Sequence, residues 1–309
     1  MSGRDNPMAS IYFPFIEDDV LEHFAEIKSN KSGKKKYAKY YEKSIAKYQK
    51  FKENKSEYKT NIVSLKRARQ IEKDERFWTA ACLMTLYHSD EKKRTQELVK
   101  LFKKAYGETP PINNIASWEQ CINGNLKLFF EAKLPSPKLY KNWLTENIKS
   151  RQFIPYVLEC SQEKTNLEGR TTVDAIFVNS DNGFAVIIEA KVLSDISYFI
   201  TYDTMRNQMA RIIDVMLEKN DNLTEILKKR DPDKTLFLLI TPKIFKENPE
   251  SRLYGYKFNE YKNNIEAISK DLPHRKNISK NLSKRLGWLT WEDFNEVNNK
   301  CCQWLKNSE

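Results

Sequence analysis

The sequence predicts an α/β protein with a mixed sheet, preceded by a basic, all-helical N-terminal region. Three observations carry that prediction. Two apolar, β-branched runs, 171–178 and 184–192, flank the cluster Ser180-Asp181-Asn182-Gly183. This is a hairpin signal, because a short loop needs positive φ, which Asn and Gly tolerate. A helical pattern over 203–219 then leads to the apolar run 236–240, stopped by Pro242. Upstream of residue 133 the segments read as helices.

Taken in order, residues 16–29 predict a short helix with Ile16, Val20, Leu21, Phe24 and Ile27 apolar. Residues 31–36 read as a basic turn around Gly33. From Tyr37 to about Arg76 the pattern is helical, with Tyr37, Tyr41, Ile45 and Tyr48 on one stripe and Lys35, Lys39, Lys43, Lys47 and Lys50 on its neighbour. Segments 77–88 and 91–106 are two more helices, ended by Gly107 and Pro110-Pro111. A helix is expected over 117–133, and Pro135-Ser136-Pro137 marks the domain boundary: a helical, basic region 1–137, then a catalytic region 138–309. In the second region the pattern implies a helix at 139–150, a strand at 153–160, the hairpin 170–179 and 184–192, the helix 203–219 and a buried strand at 234–241. Trp288, Leu289, Trp291 and Phe294 read as the start of a C-terminal helix docking on the core.

Composition excludes several function classes. The 309-residue chain is 40% hydrophobic and 31% charged. No apolar run approaches the roughly 20 residues a membrane span needs, so no membrane partner is expected. The first residues lack the apolar core of a secretory signal. Cys82, Cys121, Cys160, Cys301 and Cys302 form neither an even disulfide set nor a Cys-x-x-Cys pair. Reduced thiols and a cytoplasmic location are the expectation, with Cys301-Cys302 as packing. His23, His88 and His274 stand far apart without flanking ligands, which disfavours histidine-based hydrolysis or zinc chemistry. The eight glycines form no phosphate-binding loop or dinucleotide fingerprint. Charge is concentrated: residues 28–76 hold 17 lysines and arginines against 6 acids, a net +11 that matches the whole chain. Such a localised field attracts polyanions, nucleic acid first among them. The stripe containing Lys35, Lys39, Lys43 and Lys47 is the candidate contact, with a solvated amphipathic face as the alternative. The tyrosine stripe reads as packing.

The hairpin carries the chemistry. Folding about Asp181-Asn182 sets Asp174 opposite Glu189, and folding about Asn182-Gly183 sets it opposite Lys191. In either register two carboxylates and an ammonium meet on greasy strands, since Glu189 and Lys191 share a face. Burying such charges is costly unless they pair or hold a metal. The Glu-x-Lys pattern occurs seven times in this lysine-rich chain, but only Glu189 closes a strand-like run with an aspartate across a turn. Glu131-Ala132-Lys133 repeats the tripeptide and reads as a helix end. The bland alternative is a buried salt bridge between Lys191 and either acid.

Asp174, a 14-residue gap and Glu189-Ala190-Lys191 resemble the core motif of the PD-(D/E)XK nuclease superfamily, with Val173 at the proline position. The resemblance covers about a third of the chain and implies the restriction-endonuclease-like αβββαβ core, in the order of helix, three antiparallel strands, helix and strand from about 139 to 241. It further implies hydrolysis of DNA phosphodiester bonds by an endonuclease of restriction or defence type, with Mg²⁺ as cofactor and Mn²⁺ substituting. Asp174 and Glu189 would be metal ligands with the Ala190 carbonyl, and Lys191 would orient or deprotonate the attacking water. Glu146, from the first core helix, would be an additional acid, with Glu159 as competitor. Gln208 would lie at the site edge, Arg211 would meet a phosphate, and Ser194 and Asp195 would shape the adjoining loop. Double-strand cutting would commonly need a homodimer. Two alternatives stay open: a repair or recombination nuclease, and a non-catalytic nucleic-acid-binding module on a nuclease scaffold.

Overall fold

The structure, a computed structural model, describes residues 15, 17–24, 31–58, 63–64, 66, 69–197, 202–219, 223–303 and 305, with backbone only at 17–18, 31–38 and 57. Its centre is a five-stranded sheet of β1 (Leu126–Leu134), β2 (Thr171–Asn179), β3 (Ala185–Ala190), β4 (Thr235–Thr241) and β5 (Leu286–Thr290), in that spatial order. β1, β2 and β3 form an antiparallel meander, and β4 and β5 run parallel to β3. Every residue of β3, β4 and β5 is buried. They read as continuous apolar runs because helices cover both faces.

The helices are α1 (Glu17–Glu22), α2 (Lys31–Glu53), α3 (Lys55–Tyr58), α4 (Glu75–Tyr87), α5 (Glu91–Tyr106), α6 (Trp118–Ile122), α7 (Lys138–Arg151), α8 (Pro155–Gln162), α9 (Gln208–Met216), α10 (Glu225–Lys228), α11 (Lys243–Glu247), α12 (Leu253–Asn263), α13 (Ile265–Asp271) and α14 (Trp291–Val297). On one sheet face, Leu128, Phe130, Phe177, Ile188 and Leu238 pack with α4, α5 and residues of α2 and α14. On the other, Phe129, Ile176, Ile187, Phe237 and Leu239 pack with α9, α12 and α13. Alternate residues of β3, β4 and β5 serve opposite cores, as the pleat requires, whereas the alternation in β1 and β2 changes phase at Glu131 and Asp174, and full burial of each large side chain contributes roughly 1.5–3 kcal/mol. No helix among the described residues is long and apolar enough to cross a membrane.

The β2–β3 hairpin forms as the sequence implies. Asn179 N donates to Phe184 O at 2.8 Å and Gly183 N to Asn179 O at 2.9 Å, with Gly183 at φ 79°. The pairing Ala175↔Ile188 fixes the register that sets Asp174 opposite Glu189. Helix α5 spans 91–106 as expected, with Asp90 capping Lys93 N. In α2, Tyr41, Ile45 and Tyr48 are buried while Lys39, Lys43, Lys47 and Lys50 are exposed. The side chains of Lys35 and Tyr37, and residues 16 and 25–29 of the first predicted helix, lie outside the described residues.

Several expectations need correction. The segment 31–36 is not a turn; its backbone is the first part of α2. Segment 117–133 is a helix only over 118–122. Gly124, at φ 102°, breaks it, and the apolar Leu126–Phe130 run becomes β1. That run buries residues on both faces, which a strand between two helical layers allows and a surface helix does not. The N-terminal region is therefore not all-helical, and the expected boundary at 137 falls just after a strand of the common sheet. Segment 153–160 is helix α8, with Pro155 at its first turn, where the missing N–H costs nothing. The helix expected from 203 begins at Gln208 behind the Asn207 cap, and Met205 is exposed. Trp288 and Leu289 belong to β5, and only from Trp291 does α14 begin, behind the Thr290–Asp293 capping box.

Candidate active site

Asp174 sits near the start of β2 and Glu189 near the end of β3, with Lys191 just beyond it. The pleat turns Glu189 and Lys191 to one side, and Lys191 Nζ donates to Glu189 Oε1 at 2.6 Å. Asp174 Oδ2 accepts from Ala190 N at 2.8 Å, so the aspartate is tied to the strand between the two. Lys191 itself is held by its backbone: its N–H donates to Ile240 O of β4 at 2.8 Å, and its carbonyl accepts from Trp291 Nε1 at 3.0 Å. Gln208 Nε2, at the first turn of α9, donates to Glu189 Oε1 at 2.6 Å. The five groups Asp174, Glu189, Ala190, Lys191 and Gln208 are thus brought together.

Other predicted residues are not. Glu146 is exposed on α7, whose buried Tyr140 and Leu144 pack with Leu167, and Glu159 is exposed on α8. Both helices lie between β1 and β2 in the chain, off the Asp174 cluster's hydrogen bonds. Arg211 pairs with Glu168 at 2.8 Å and donates to the carbonyls of Gly169 and Arg170, so its guanidinium is committed to the β1–β2 connection rather than to a phosphate. Asp195 accepts from Leu253 N and Tyr254 N and so caps α12. Lys39, Lys43 and Lys47 are exposed on α2. The histidines pack: His23 bonds Leu128 O and His88, and His274 bonds Asp214, each at 2.9 Å.

The structure adds three residues that sequence reasoning missed. Glu75 opens α4, and its Oε1 accepts from Val192 N at 3.1 Å, from Ser194 N at 3.4 Å and from Ser194 Oγ. It fixes the backbone that follows Lys191. Glu131 lies opposite Asp174 across the β1–β2 ladder, between the pairs Phe130↔Ala175 and Ala132↔Val173. Arg76 Nε meets Glu131 Oε1 at 2.9 Å. The repeated tripeptide at 131 was a visible signal, hidden by the helical reading of its surroundings. Glu75 left only the sign of an acid in the first turn of an apolar helix.

The electrostatics are unbalanced. Burial, reinforced by Asp174, pushes the Glu189 carboxyl up to about 8. Burial also raises Asp174, against the pull of Lys191 and the Ala190 N–H. Burial opposes the Lys191 charge, but Glu189 and Asp174 outweigh it and hold the ammonium above the usual lysine range. The ammonium form of Lys191 is thus favoured wherever Glu189 and Asp174 are ionised. Glu189 Oε2 is buried and has no hydrogen-bond partner. Among the described residues, no three Asp, Glu, His or Cys side chains close into a metal cage. A hard cation such as Mg²⁺ needs fewer, since it keeps several waters and takes one or two carboxylates. An orphaned carboxylate oxygen beside a second carboxylate, both with raised proton affinity, fits that demand. Comparison of the chain with protein families, with curated proteins and with solved structures finds no match.

Proposed function

We propose that the protein is a Mg²⁺-dependent endonuclease that hydrolyses DNA phosphodiester bonds, of restriction or defence type, with a PD-(D/E)XK-like centre. One observation carries the proposal: Asp174, Glu189 and Lys191 meet on adjoining strands, with a buried Glu189 oxygen left unpartnered. The strand order supports it. Counting β1 as the first strand, α4 or α5, then β1, β2 and β3, then α9 and β4 follow the αβββαβ sequence that the resemblance implies, with α6, α7 and α8 inserted.

Asp174, Glu189 and the Ala190 carbonyl would hold the cation. When bound, it supplies Lewis-acid charge at the phosphoryl oxygens and a water of lowered pKa. Gln208 holds the Glu189 carboxylate in place. Lys191, as an ammonium, donates to the attacking water or to the negative charge that builds on the phosphorane-like transition state. Glu75, rather than Glu146, is the acid from a helix ahead of the meander, and it positions the 192–194 backbone beside Lys191. The exposed lysines of α2 supply the nucleic-acid contact.

The non-catalytic alternative has one observation in its favour: Lys191 and Glu189 form a closed ion pair, with side chains 7% and 2% exposed. Incubation with supercoiled plasmid separates the two. Nicking that needs Mg²⁺ or Mn²⁺, stops with EDTA and is lost in folded Lys191→Ala is the expected result. Intact plasmid with every metal, and intact oligonucleotides of varied structure, would overturn the enzyme. Sequencing the cut ends then distinguishes a fixed recognition site from the flap or junction preference of a repair nuclease.

A further inference from the structure

The β5 edge of the sheet carries an unbalanced charge of the opposite sign. β5 lies at the end of the strand order, so carbonyls on its outer side need donors from beyond the sheet. Two lysines supply them: Lys246 Nζ donates to Trp288 O and Lys262 Nζ to Leu286 O, each at 2.7 Å. Both side chains are half-buried, and burial lowers the proton affinity of each. Asp293 offsets the charge of Lys246. Among the described residues no carboxylate offsets that of Lys262. A neutral amide would serve the Leu286 carbonyl at less cost, so the hydrogen bond does not account for the charge.

Lys262 lines a groove of about 400 Å³. One wall is Tyr106, the last residue of α5, whose hydroxyl donates to Phe237 O at 2.8 Å. A Cβ at Gly287 would come within 2.5 Å of the Tyr106 ring, so a side chain there would displace this wall. Thr109 and Asn113 come from the loop after α5, and Asn281 and Lys284 from the 3-10 turn before β5. No acid lines the groove. Lys262 spends one of its three N–H donors on Leu286, and Lys284 is exposed. By the strand register, the Leu286 and Lys191 backbones stand roughly 16 Å apart, which separates this groove from the Asp174 cluster. Two ammonium groups with amides and a hydroxyl suit a compact anion with several oxygens and nearly two charges. A phosphomonoester, at about −1.5 to −2 near neutral pH, meets that demand. A phosphodiester or a carboxylate, with a single charge, does not balance both lysines.

We propose that this groove binds a terminal phosphate group, with Lys262 and Lys284 as its cations. The site goes beyond the nuclease proposal and does not depend on it. Titration calorimetry with inorganic phosphate, in EDTA so that no divalent cation takes part, tests it. The wild type should saturate one-to-one. Lys262→Gln should weaken binding at least about tenfold, yet leave Tm without phosphate equal or higher, because a half-buried charge is gone. Lys284→Gln should weaken it about threefold. Lys100→Gln, at an exposed lysine of α5 outside the groove, should leave it unchanged. No saturation, wild-type affinity in both groove variants, or an equal loss in Lys100→Gln would overturn the site. A Lys262→Gln variant that loses binding only along with Tm, with Lys284→Gln at wild-type affinity, would make Lys262 an edge-strand cap and also overturn it. Competition identifies the source of the phosphate. Displacement by a 5′-phosphorylated oligonucleotide, but not by the same strand without its phosphate, supports a nucleic-acid end. Displacement by a deoxynucleoside 5′-monophosphate and by neither oligonucleotide supports a free ligand. Equal displacement by both oligonucleotides would put a diester in the groove and overturn the terminal phosphate.

Discussion

Two clusters of buried charge stand in this molecule, and they are built to opposite plans. In the first, Arg206 joins Glu168 at 2.9 Å and Asp214 at 2.8 Å and lies over the Tyr140 ring at 3.5 Å. Arg211 completes Glu168, and Arg275 joins Asp214 and Glu218. Three guanidiniums meet three carboxylates. In the second, Asp174, Glu189, Glu131 and Glu75 face Lys191 and Arg76, so acids exceed cations by two. The balanced lattice ties the 138–169 insertion to α9 and to the segment after α13. Both clusters hold buried atoms without a hydrogen bond, but Glu168 Oε2 and Arg206 Nε still form an ion pair at 2.9 Å, whereas Glu189 Oε2 has no such contact. Balanced buried charge serves architecture; an excess of buried acid is what the proposed cation would offset.

A pair of variants tests that distinction directly. Arg206→Met removes the cation that Glu168 and Asp214 share, leaving them only Arg211 and Arg275, and should lower unfolding free energy by about 3 kcal/mol in urea titrations. Lys191→Met should change stability far less, because Glu189 can take up a proton, yet lower cleavage at least about a hundredfold. Similar stability losses in both variants would erase the contrast.

The two clusters should also answer pH with opposite signs. Glu189 holds its proton up to about 8 in the folded chain, against an ordinary 4.5. Folding therefore favours the protonated form, and without divalent cation stability should fall as pH rises from about 4.5 through 8. The expected loss is on the order of 5 kcal/mol, and it should vanish in Glu189→Gln. Asp214 runs the other way. Burial would raise it, but the His274 hydrogen bond with Arg206 and Arg275 brings it to about 2, from 3.8. Its contribution is complete above about pH 4 and is lost as pH falls toward 2. Asp214→Asn should remove this part of the acid limb, about 2 kcal/mol, on top of its cost at neutral pH.

Cation linkage gives a smaller signal. Mg²⁺ favours the ionised carboxylates, so at a hundredfold excess over its Kd it should stabilise the chain by roughly 2.7 kcal/mol. The Tm rise should be greater at pH 8.5 than at pH 6 and absent in Asp174→Asn. An equal rise in that variant would place the cation elsewhere. The smallest effect concerns the exposed ridge. Changing Lys39, Lys43 and Lys47 together to Gln should weaken duplex binding about tenfold and flatten its salt dependence, without altering Tm or the metal response.

Some of this molecule is plain in its residues. The β-branched runs around Asp181-Asn182 define one hairpin, and their alternation puts Asp174 beside Glu189 in the observed register. Gln208, one helix later, was within reach of the same pattern. Other features were hidden because local signals compete. Leu126–Phe130 is too short for its period to separate strand from helix, so β1 and Glu131 went unseen. Val157 in the 153–160 segment suits either element, and Pro155 decided for helix only because nothing paired its neighbours into the sheet. Glu146 and Glu75 are both helix acids; chain proximity to Asp174 pointed to Glu146, while the hydrogen bond to the backbone after Lys191 comes from Glu75.

What the amino-acid order by itself determined is the hairpin, the charge pair it carries, the buried β4 run and the basic α2. Each rests on neighbours a few residues apart, where steric preference and periodicity act alone. Only the tertiary structure decided which distant segment supplies the first strand, which helix brings an acid and an arginine to Asp174, and which charges find partners. Those outcomes depend on the desolvation and pairing of groups more than forty residues apart, and no local propensity encodes them.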